Sequence, residues 1–236
     1  MLKIKMEKQN NSIQPIINEY LRKEKEENKH DSKYFHASSL GSCKRKQIWT
    51  ILKVPETNPL DDRMLRVFSV GNVFHEWLQD KLAKAGVLIA KEQEVINEKY
   101  NYKGRFDALV KIENKNILYD FKTQHSKSFH YIKNNNEGVD EGKKLQVVSY
   151  AVMGNIKVDE CRILFISKDD LCFLEYIIPI EPYKKKVIDE LVELNVFLKT
   201  KKLPPALPEK ENGKPNWQCG YCRYLDKCRG KNWSKK

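Results

Sequence analysis

Two short runs, Gly104-Arg105-Phe106-Asp107 and Asp120-Phe121-Lys122, decide the interpretation of this sequence. Both lie in stretches with the composition of β-strands, and a short polar turn between them predicts a hairpin. Side chains two residues apart on a strand share a face, so Asp120 and Lys122 are expected to project together while Phe121 points into the core. Asp107 on the adjoining strand is then within reach of Asp120.

Such a hairpin is suited to holding a divalent cation. The carboxylates of Asp107 and Asp120 repel each other unless a cation lies between them, and oxygen ligands of this kind favour Mg²⁺ or Mn²⁺. Lys122 beside the metal can orient or deprotonate a water and stabilise charge on a phosphate. The D-x-K triplet taken alone is explained better by a surface hairpin with scattered charges, so the metal site depends on the residues described below.

The rest of the chain predicts an α/β fold, in which a mixed central sheet is flanked by helices. Apolar periodicity and turn residues predict helices and strands in alternation. The predicted helices are 13–21, 38–52, 61–85, 143–154 and 182–201, and the predicted strands are 87–96, 103–112, 116–123, 161–167 and 171–178. We divide the chain into a charged N-terminal helical segment (1–37), a core (38–203) and a polar C-terminal segment (204–236).

The predicted helices contribute further candidate residues. Gly71 and His75 lie on the long helix before the strands, and His75 could add an imidazole to the same metal, although a buried, hydrogen-bonded histidine is the alternative. The run His75-Glu76 suggests a zinc-protease motif, but Gln79 stands where that motif requires its second histidine. Gln146 and Tyr150, four residues apart, share one face of a later helix.

The order G-x-x-x-H, G-x-x-D, D-x-K-T and Q-x-x-x-Y resembles the nuclease domain of the RecB family, within the PD-(D/E)xK superfamily. The resemblance covers about residues 38–228 and implies a restriction-endonuclease-like core. It also implies that His75, Asp107 and Asp120 bind the catalytic metal and that Lys122 serves the attacking water. In the same family the pair corresponding to Gln146 and Tyr150 lies beside the site and helps to hold the DNA strand. The proline that names the superfamily is replaced by Phe106, as is common among RecB-like members.

Four of the six cysteines form a second candidate site. Cys219, Cys222 and Cys228 have the spacing C-x2-C-x5-C, and Cys43 is the best candidate for a fourth ligand. Zinc satisfies this spacing. The resemblance extends to AddB-type helicase-nucleases and CRISPR-associated adaptation nucleases, with one cysteine before the nuclease motifs and three after them, and implies a [4Fe–4S] cluster instead. Cys161 and Cys172, in apolar strands, are expected to be buried core thiols.

Composition points to a nucleic-acid partner. Lys and Arg number 44 against 32 Asp and Glu, for a formal charge of +12, which suits DNA, although a solvated lysine-rich surface explains it equally well. We find no apolar run long enough to cross a membrane and no signal peptide at the N-terminus, so a cytoplasmic protein is expected. No phosphate-binding loop of a helicase motor is present, so a helicase or CRISPR adaptation proteins would have to be separate partners.

The sequence therefore predicts a metal-dependent deoxyribonuclease, acting as an exonuclease on single-stranded DNA ends, with a structural iron–sulfur cluster. One alternative is a non-catalytic DNA-binding module of the same fold. Another is a zinc-ribbon regulatory protein, which would leave the four central motifs unexplained.

Overall fold

The computed structural model describes residues 12–27, 33–134, 138–211, 213–231 and 233. Helices and strands alternate along the chain. The helices are α1 (Ile13–Glu27), α2 (Lys44–Ile51), α3 (Asp62–Lys84), α4 (Ser126–Asn134), α5 (Glu141–Gly154), α6 (Glu181–Thr200), α7 (Trp217–Gly220) and α8 (Leu225–Arg229). The strands are β1 (Phe35–His36), β2 (Leu88–Asn97), β3 (Tyr102–Ile112), β4 (Lys115–Gln124), β5 (Glu160–Ser167), β6 (Phe173–Ile178), β7 (Lys210–Glu211) and β8 (Lys214–Pro215).

The main sheet is mixed, as the sequence predicts. Strand β3 pairs antiparallel with β2 along most of its length and with β4 over its second half, and it pairs with the short β1 at its start. Strand β4 continues the sheet in parallel with β5, which pairs antiparallel with the edge strand β6. Strands β7 and β8 form a separate two-stranded ribbon.

Helices cover both faces of the main sheet. On one face α5 and α6 bury apolar side chains such as Val147 and Leu191 against Phe106 and Phe165. On the other face Leu78 of α3 packs with Phe121 and its neighbours. The observed architecture is therefore a mixed α/β fold with a central sheet between helices, compatible with a restriction-endonuclease-like core.

The hairpin that joins β3 to β4 is confirmed, and its turn explains why it forms. Glu113 and Asn114 have φ angles of 48° and 64°. Positive φ at both central residues is the conformation of a two-residue turn whose twist matches that of the flanking strands. The hairpin places Asp107 and Asp120 at equal distances from the turn, on neighbouring strands.

The helix predicted to begin near residue 38 begins later. Residues Ala37–Ser39 form a single 3₁₀ turn, and α2 starts at Lys44. The interruption lies at Gly41, whose φ of 71° is incompatible with a right-handed helix. Gly41 also lies close to α5, where an added Cβ would be 2.7 Å from the Cα of Gly142, so glycine is required at this position.

The prediction for Cys172 is also wrong. Cys172 is exposed rather than buried, because the strand β6 starts at Phe173 and Cys172 belongs to the turn that precedes it. Cys161 is buried as expected. The segment before the predicted polar loop also contains a helix, α4, which the sequence interpretation did not assign.

The C-terminal segment packs on the region around α2. The buried Tyr224 ring meets Trp49 edge to face, with the centroids 5.4 Å apart. The carbonyl of Arg223 accepts hydrogen bonds from the backbone N–H groups of Thr57 and Asn58, at 2.9 Å each. Packing and hydrogen bonds therefore hold this segment in place. Among the described residues, none of the helices combines the length and the apolar character needed to cross a bilayer.

Candidate metal centre

The candidate centre lies where β3 and β4 separate. Their pairing runs from the turn to Ala108 and Tyr119, and Asp107 and Asp120 are the next residues on each strand. The Oδ2 atom of Asp107 accepts the backbone N–H of Phe121 at 2.5 Å. Beyond the paired region, β3 no longer offers a backbone acceptor to β4, and the Asp107 carboxylate takes that place for the Phe121 N–H. This hydrogen bond fixes the Asp107 carboxylate beside Asp120.

His75 joins this carboxylate from the α3 side. Its Nδ1 atom lies 3.3 Å from Oδ1 of Asp107, and its ring stands edge to face on Phe121 with the centroids 5.7 Å apart. Burial lowers the pKa of His75, but the hydrogen bond to Asp107 and its negative charge outweigh this, so the pKa is raised overall. Helix α3 therefore places the His75 imidazole beside the Asp107 carboxylate, as the motif order predicts.

Glu92 of β2 is a third group at this point, and the sequence interpretation did not identify it. The side chains of His75, Glu92 and Asp107 can each offer a ligand atom within 4.8 Å of the others. Glu92 lies across from Asp107 and has a φ of 49°, an unusual backbone angle within a strand. Its oxygens also contact Gln79 Nε2 at 2.6 Å and Arg105 Nε at 2.8 Å. No sequence signal separates Glu92 from Glu94 on the same strand.

Asp120 and Lys122 form the innermost part of the centre. Asp120 is 1% exposed, and its Oδ2 atom, which lies 2.7 Å from Lys122 Nζ, has no hydrogen-bond donor of suitable geometry among the described residues. Burial raises the pKa of Asp120, the ammonium of Lys122 lowers it in part, and the nearby charge of Asp107 raises it again. A buried carboxylate in this condition favours a further cation.

A line of hydrogen bonds continues from Lys122 into α5. Lys122 Nζ donates to Oε1 of Gln146 at 3.1 Å, and Nε2 of Gln146 donates to the hydroxyl of Tyr150 at 2.8 Å. The Tyr150 side chain is only 3% exposed, so its ring offers no free face to a nucleotide in this arrangement. Tyr150 instead orients the Gln146 amide, which in turn orients the ammonium of Lys122.

Gly104 allows the Tyr150 side chain to pack closely against strand β3. A Cβ atom at position 104 would be 2.6 Å from the hydroxyl of Tyr102 and 2.8 Å from Cε1 of Tyr150. Real Cβ atoms do not come this close, so any side chain here would displace Tyr150. The glycine of the G-x-x-D motif is therefore required by packing against the Q-x-x-x-Y motif.

The four outlying cysteines surround a second site. Cys43, Cys219, Cys222 and Cys228 line one pocket, beside Arg45, Lys46, Trp49 and Gln218. Two donors point at sulfur: the Tyr224 backbone N–H to Cys222 Sγ at 3.4 Å and Arg45 Nη1 to Cys228 Sγ at 3.6 Å. Within the described part of the chain, only His75, Glu92 and Asp107 are gathered at the spacing of a single-ion site, so no three of these sulfurs lie within 4.8 Å of one another.

No protein-family model matches the chain, and no curated protein matches it. Among solved structures, it is similar to the crystal structure of SSO0001, with a TM-score of 0.55, 18% identity, and coverage of 93% of this chain and 97% of that chain. It is also similar to LHK-Exo, an alkaline exonuclease from Laribacter hongkongensis, with a TM-score of 0.48, 14% identity, and coverage of 72% of this chain and 92% of that chain. The similarity to SSO0001 shows a shared fold over nearly the whole chain.

Proposed function

We propose that this chain is a metal-dependent nuclease that hydrolyses phosphodiester bonds of DNA. The observation that carries the proposal is the convergence of His75, Asp107, Asp120 and Lys122 where β3 and β4 separate. A module that only binds DNA would gain little from clustered carboxylates, because they repel phosphates.

The donor set fits a small divalent cation. Carboxylate oxygens with one imidazole nitrogen suit Mg²⁺ or Mn²⁺. His75, Glu92 and Asp107 are gathered at the spacing of a single-ion site and would hold it. Asp120, buried beside Asp107 with one oxygen lacking a hydrogen-bond donor among the described residues, would be a further ligand. When bound, such an ion would lower the pKa of a coordinated water and neutralise charge on the phosphate.

The ammonium of Lys122 is the group that orients the attacking water. Its ammonium is held between the Asp120 carboxylate and the Gln146 amide oxygen, so its direction is set before substrate arrives. A positioned cation of this kind can orient a water and stabilise negative charge that develops on a phosphate. The Tyr150 hydroxyl supports this role through Gln146.

The substrate we propose is a single-stranded DNA end. The formal charge of +12 supplies a sequence-independent attraction to phosphates, so binding should weaken steeply as salt rises and should show little base preference. The test is incubation of the protein with end-labelled single- and double-stranded DNA in Mn²⁺, Mg²⁺ or EDTA, with Asp120→Asn protein as the control. Progressive shortening of single strands in Mn²⁺ or Mg²⁺ is expected. Cleavage that persists in EDTA or in the variant would contradict the proposal, as would intact DNA under every condition.

We propose that the cysteine pocket holds a structural [4Fe–4S] cluster. Four cysteines line one cavity, with hydrogen-bond donors directed at two of the sulfurs, and thiolates of this number are the ligands of such a cluster. We propose that the cluster joins the start of α2 to the C-terminal segment and takes no part in hydrolysis. Zinc is the alternative occupant, to be distinguished by metal analysis.

We also propose that the chain belongs to the RecB-like group and that its partners are a helicase or CRISPR adaptation proteins, because of its motif order and cysteine spacing. The division of the chain at 37/38 and 203/204 and a cytoplasmic location are further proposals.

A further inference from the structure

The segment that follows Asp120 has an unusual charge pattern. Residues 121–134 contain three lysines and two histidines but no aspartate or glutamate. The segment starts at the end of β4 with Lys122 and continues, after three residues, into α4. A strip of positive charge therefore leads directly away from the candidate metal centre.

Helix α4 is fixed on the sheet by one side and presents the other to solvent. Phe129 is buried, and the Tyr176 hydroxyl donates to the carbonyl of Ile132 at 3.2 Å. The Tyr131 side chain is 69% exposed. Lys127, also exposed, lies one turn earlier on the same side of the helix. An exposed tyrosine on a rigid helix, next to a lysine, is the arrangement with which proteins stack bases and hold phosphates.

The described carboxylates that contact α4 bind groups other than its lysines. Asp169 accepts the backbone N–H of Ser126 at 2.7 Å, and Asp170 lies 3.2 Å from His130, both in the turn between β5 and β6. Neither Lys127 nor Lys133 forms an ion pair within the described part of the chain. The acidic side chains therefore attach α4 to the fold without neutralising its lysines.

We propose that α4 is a binding platform for single-stranded DNA, on which Tyr131 stacks with a base while Lys127 contacts a phosphate. Eight residues separate Lys122 from Tyr131: two at the end of β4, His125, and the first five of α4. At about 3.3 Å for an extended step and about 1.5 Å for a helical one, the two Cα atoms are at most roughly 21 Å apart. A few nucleotides span this length, so one strand can contact the platform and the metal centre together. The substrate identity rests on the proposed nuclease function, whereas the platform is tested by binding alone.

The test measures binding of fluorescein-labelled oligo-dT to the full chain in EDTA, where no cleavage can interfere. Tyr131→Ala should weaken binding about fivefold or more, since base stacking is worth about 1 kcal/mol or more by alanine substitution. Tyr131→Trp should restore it. Tyr20→Ala removes an equally exposed tyrosine from α1 (66% exposed) and serves as the matched control with unchanged affinity. Binding of a blunt duplex, whose bases are already stacked, should be nearly unaffected by Tyr131→Ala.

The role of Lys127 is tested by salt dependence. Replacing Lys127 with glutamine should reduce the slope of log affinity against log salt by about 0.7, the value for one lost phosphate contact, whereas Lys23→Gln on α1 should leave it unchanged. Wild-type affinity of Tyr131→Ala for oligo-dT, or equal losses for duplex and single strand, would overturn the platform. A protein that binds oligo-dT through Tyr131 but cuts no DNA with either metal would keep the platform and contradict the nuclease proposal alone.

Discussion

The Asp107 carboxylate accepts the backbone N–H of Phe121 with one oxygen and faces His75 with the other. One side chain thus closes the gap between two separating strands and presents a ligand to the candidate metal centre. These two roles can be separated by mutation.

Asp107→Asn should abolish cleavage with little loss of stability, because the amide oxygen can still accept the Phe121 N–H while the charge that attracts the metal is gone. Asp107→Ala should also abolish cleavage and should lower the free energy of unfolding by roughly 1–3 kcal/mol, since it leaves that N–H without its acceptor. Urea unfolding and cleavage of end-labelled DNA measure the two effects. Wild-type cleavage by either variant would contradict the role of Asp107 as a metal ligand.

Lys122→Ala should reduce cleavage to background, whereas Tyr150→Phe should reduce it about tenfold. The phenylalanine keeps the ring that packs on Gly104 but removes the hydroxyl that orients Gln146. Loss of direction at Lys122 lowers the rate of the chemical step, so the effect should appear in kcat rather than in the affinity for oligo-dT measured in EDTA. If Tyr150→Phe changes DNA affinity and leaves kcat intact, the tyrosine contacts DNA instead.

Glu190 on α6 should make stability depend on pH. Burial raises the pKa of Glu190, although the hydrogen bonds from Gly41 and Gln47 lower it in part. A raised pKa means that Glu190 binds its proton more strongly in the folded state than in the unfolded state. Protonation of Glu190 therefore adds to the free energy of unfolding at pH values below the unfolded-state pKa. This added stability is lost as the pH rises through the folded-state pKa.

Replacing Glu190 with glutamine removes its contribution to the pH dependence of the free energy of unfolding. Glu190→Gln cannot ionise, so the free energy of unfolding of this variant, relative to wild type, should increase between pH 4 and pH 7 in urea titrations. Glu181→Gln, at an exposed glutamate more than two turns away on the same helix, is the matched control and should show no such rise. A difference between Glu190→Gln and wild type that stays constant over this range would show that the pKa of Glu190 is not raised.

The proposed iron–sulfur cluster should colour the protein and should stabilise it by linking Cys43 to the C-terminal segment. Protein purified without oxygen should be brown and contain close to four iron and four sulfide per chain. Cys222→Ser should lower the melting temperature, because the link between Cys43 and the C-terminal segment closes a long loop, worth on the order of 5 kcal/mol by analogy with a disulfide.

Cys172→Ser is the control for this prediction, since Cys172 is exposed and lies outside the pocket. Colourless protein with one bound zinc, prepared anaerobically from iron-replete cells, would overturn the cluster assignment. An unchanged melting temperature in Cys222→Ser protein would show that the contacts of Tyr224 and Arg223 hold the segment without the cluster.

The sequence by itself determined the β3–β4 hairpin and the grouping of Asp107, Asp120 and Lys122. Strand side chains alternate with a period of two, so the shared face of Asp120 and Lys122 depends on neighbours in the chain. The predicted strands 103–112 and 116–123 leave a three-residue turn, whereas in the structure the turn is Glu113 and Asn114 alone, and this shorter turn sets the register. The placement of His75 against Asp107 was also expected, although only from the motif order. These features are local or belong to a recurrent pattern of spacing.

Only the tertiary structure decided which other groups reach the site. Glu92 is brought to Asp107 by the pairing of β2 with β3, and nothing in its own strand distinguishes it from Glu94. The burial of Tyr150 depends on its approach to Gly104, a contact between residues 46 positions apart. The exposure of Tyr131 depends on which side of α4 packs on the sheet. Each of these results from packing between distant segments, which local periodicity does not encode.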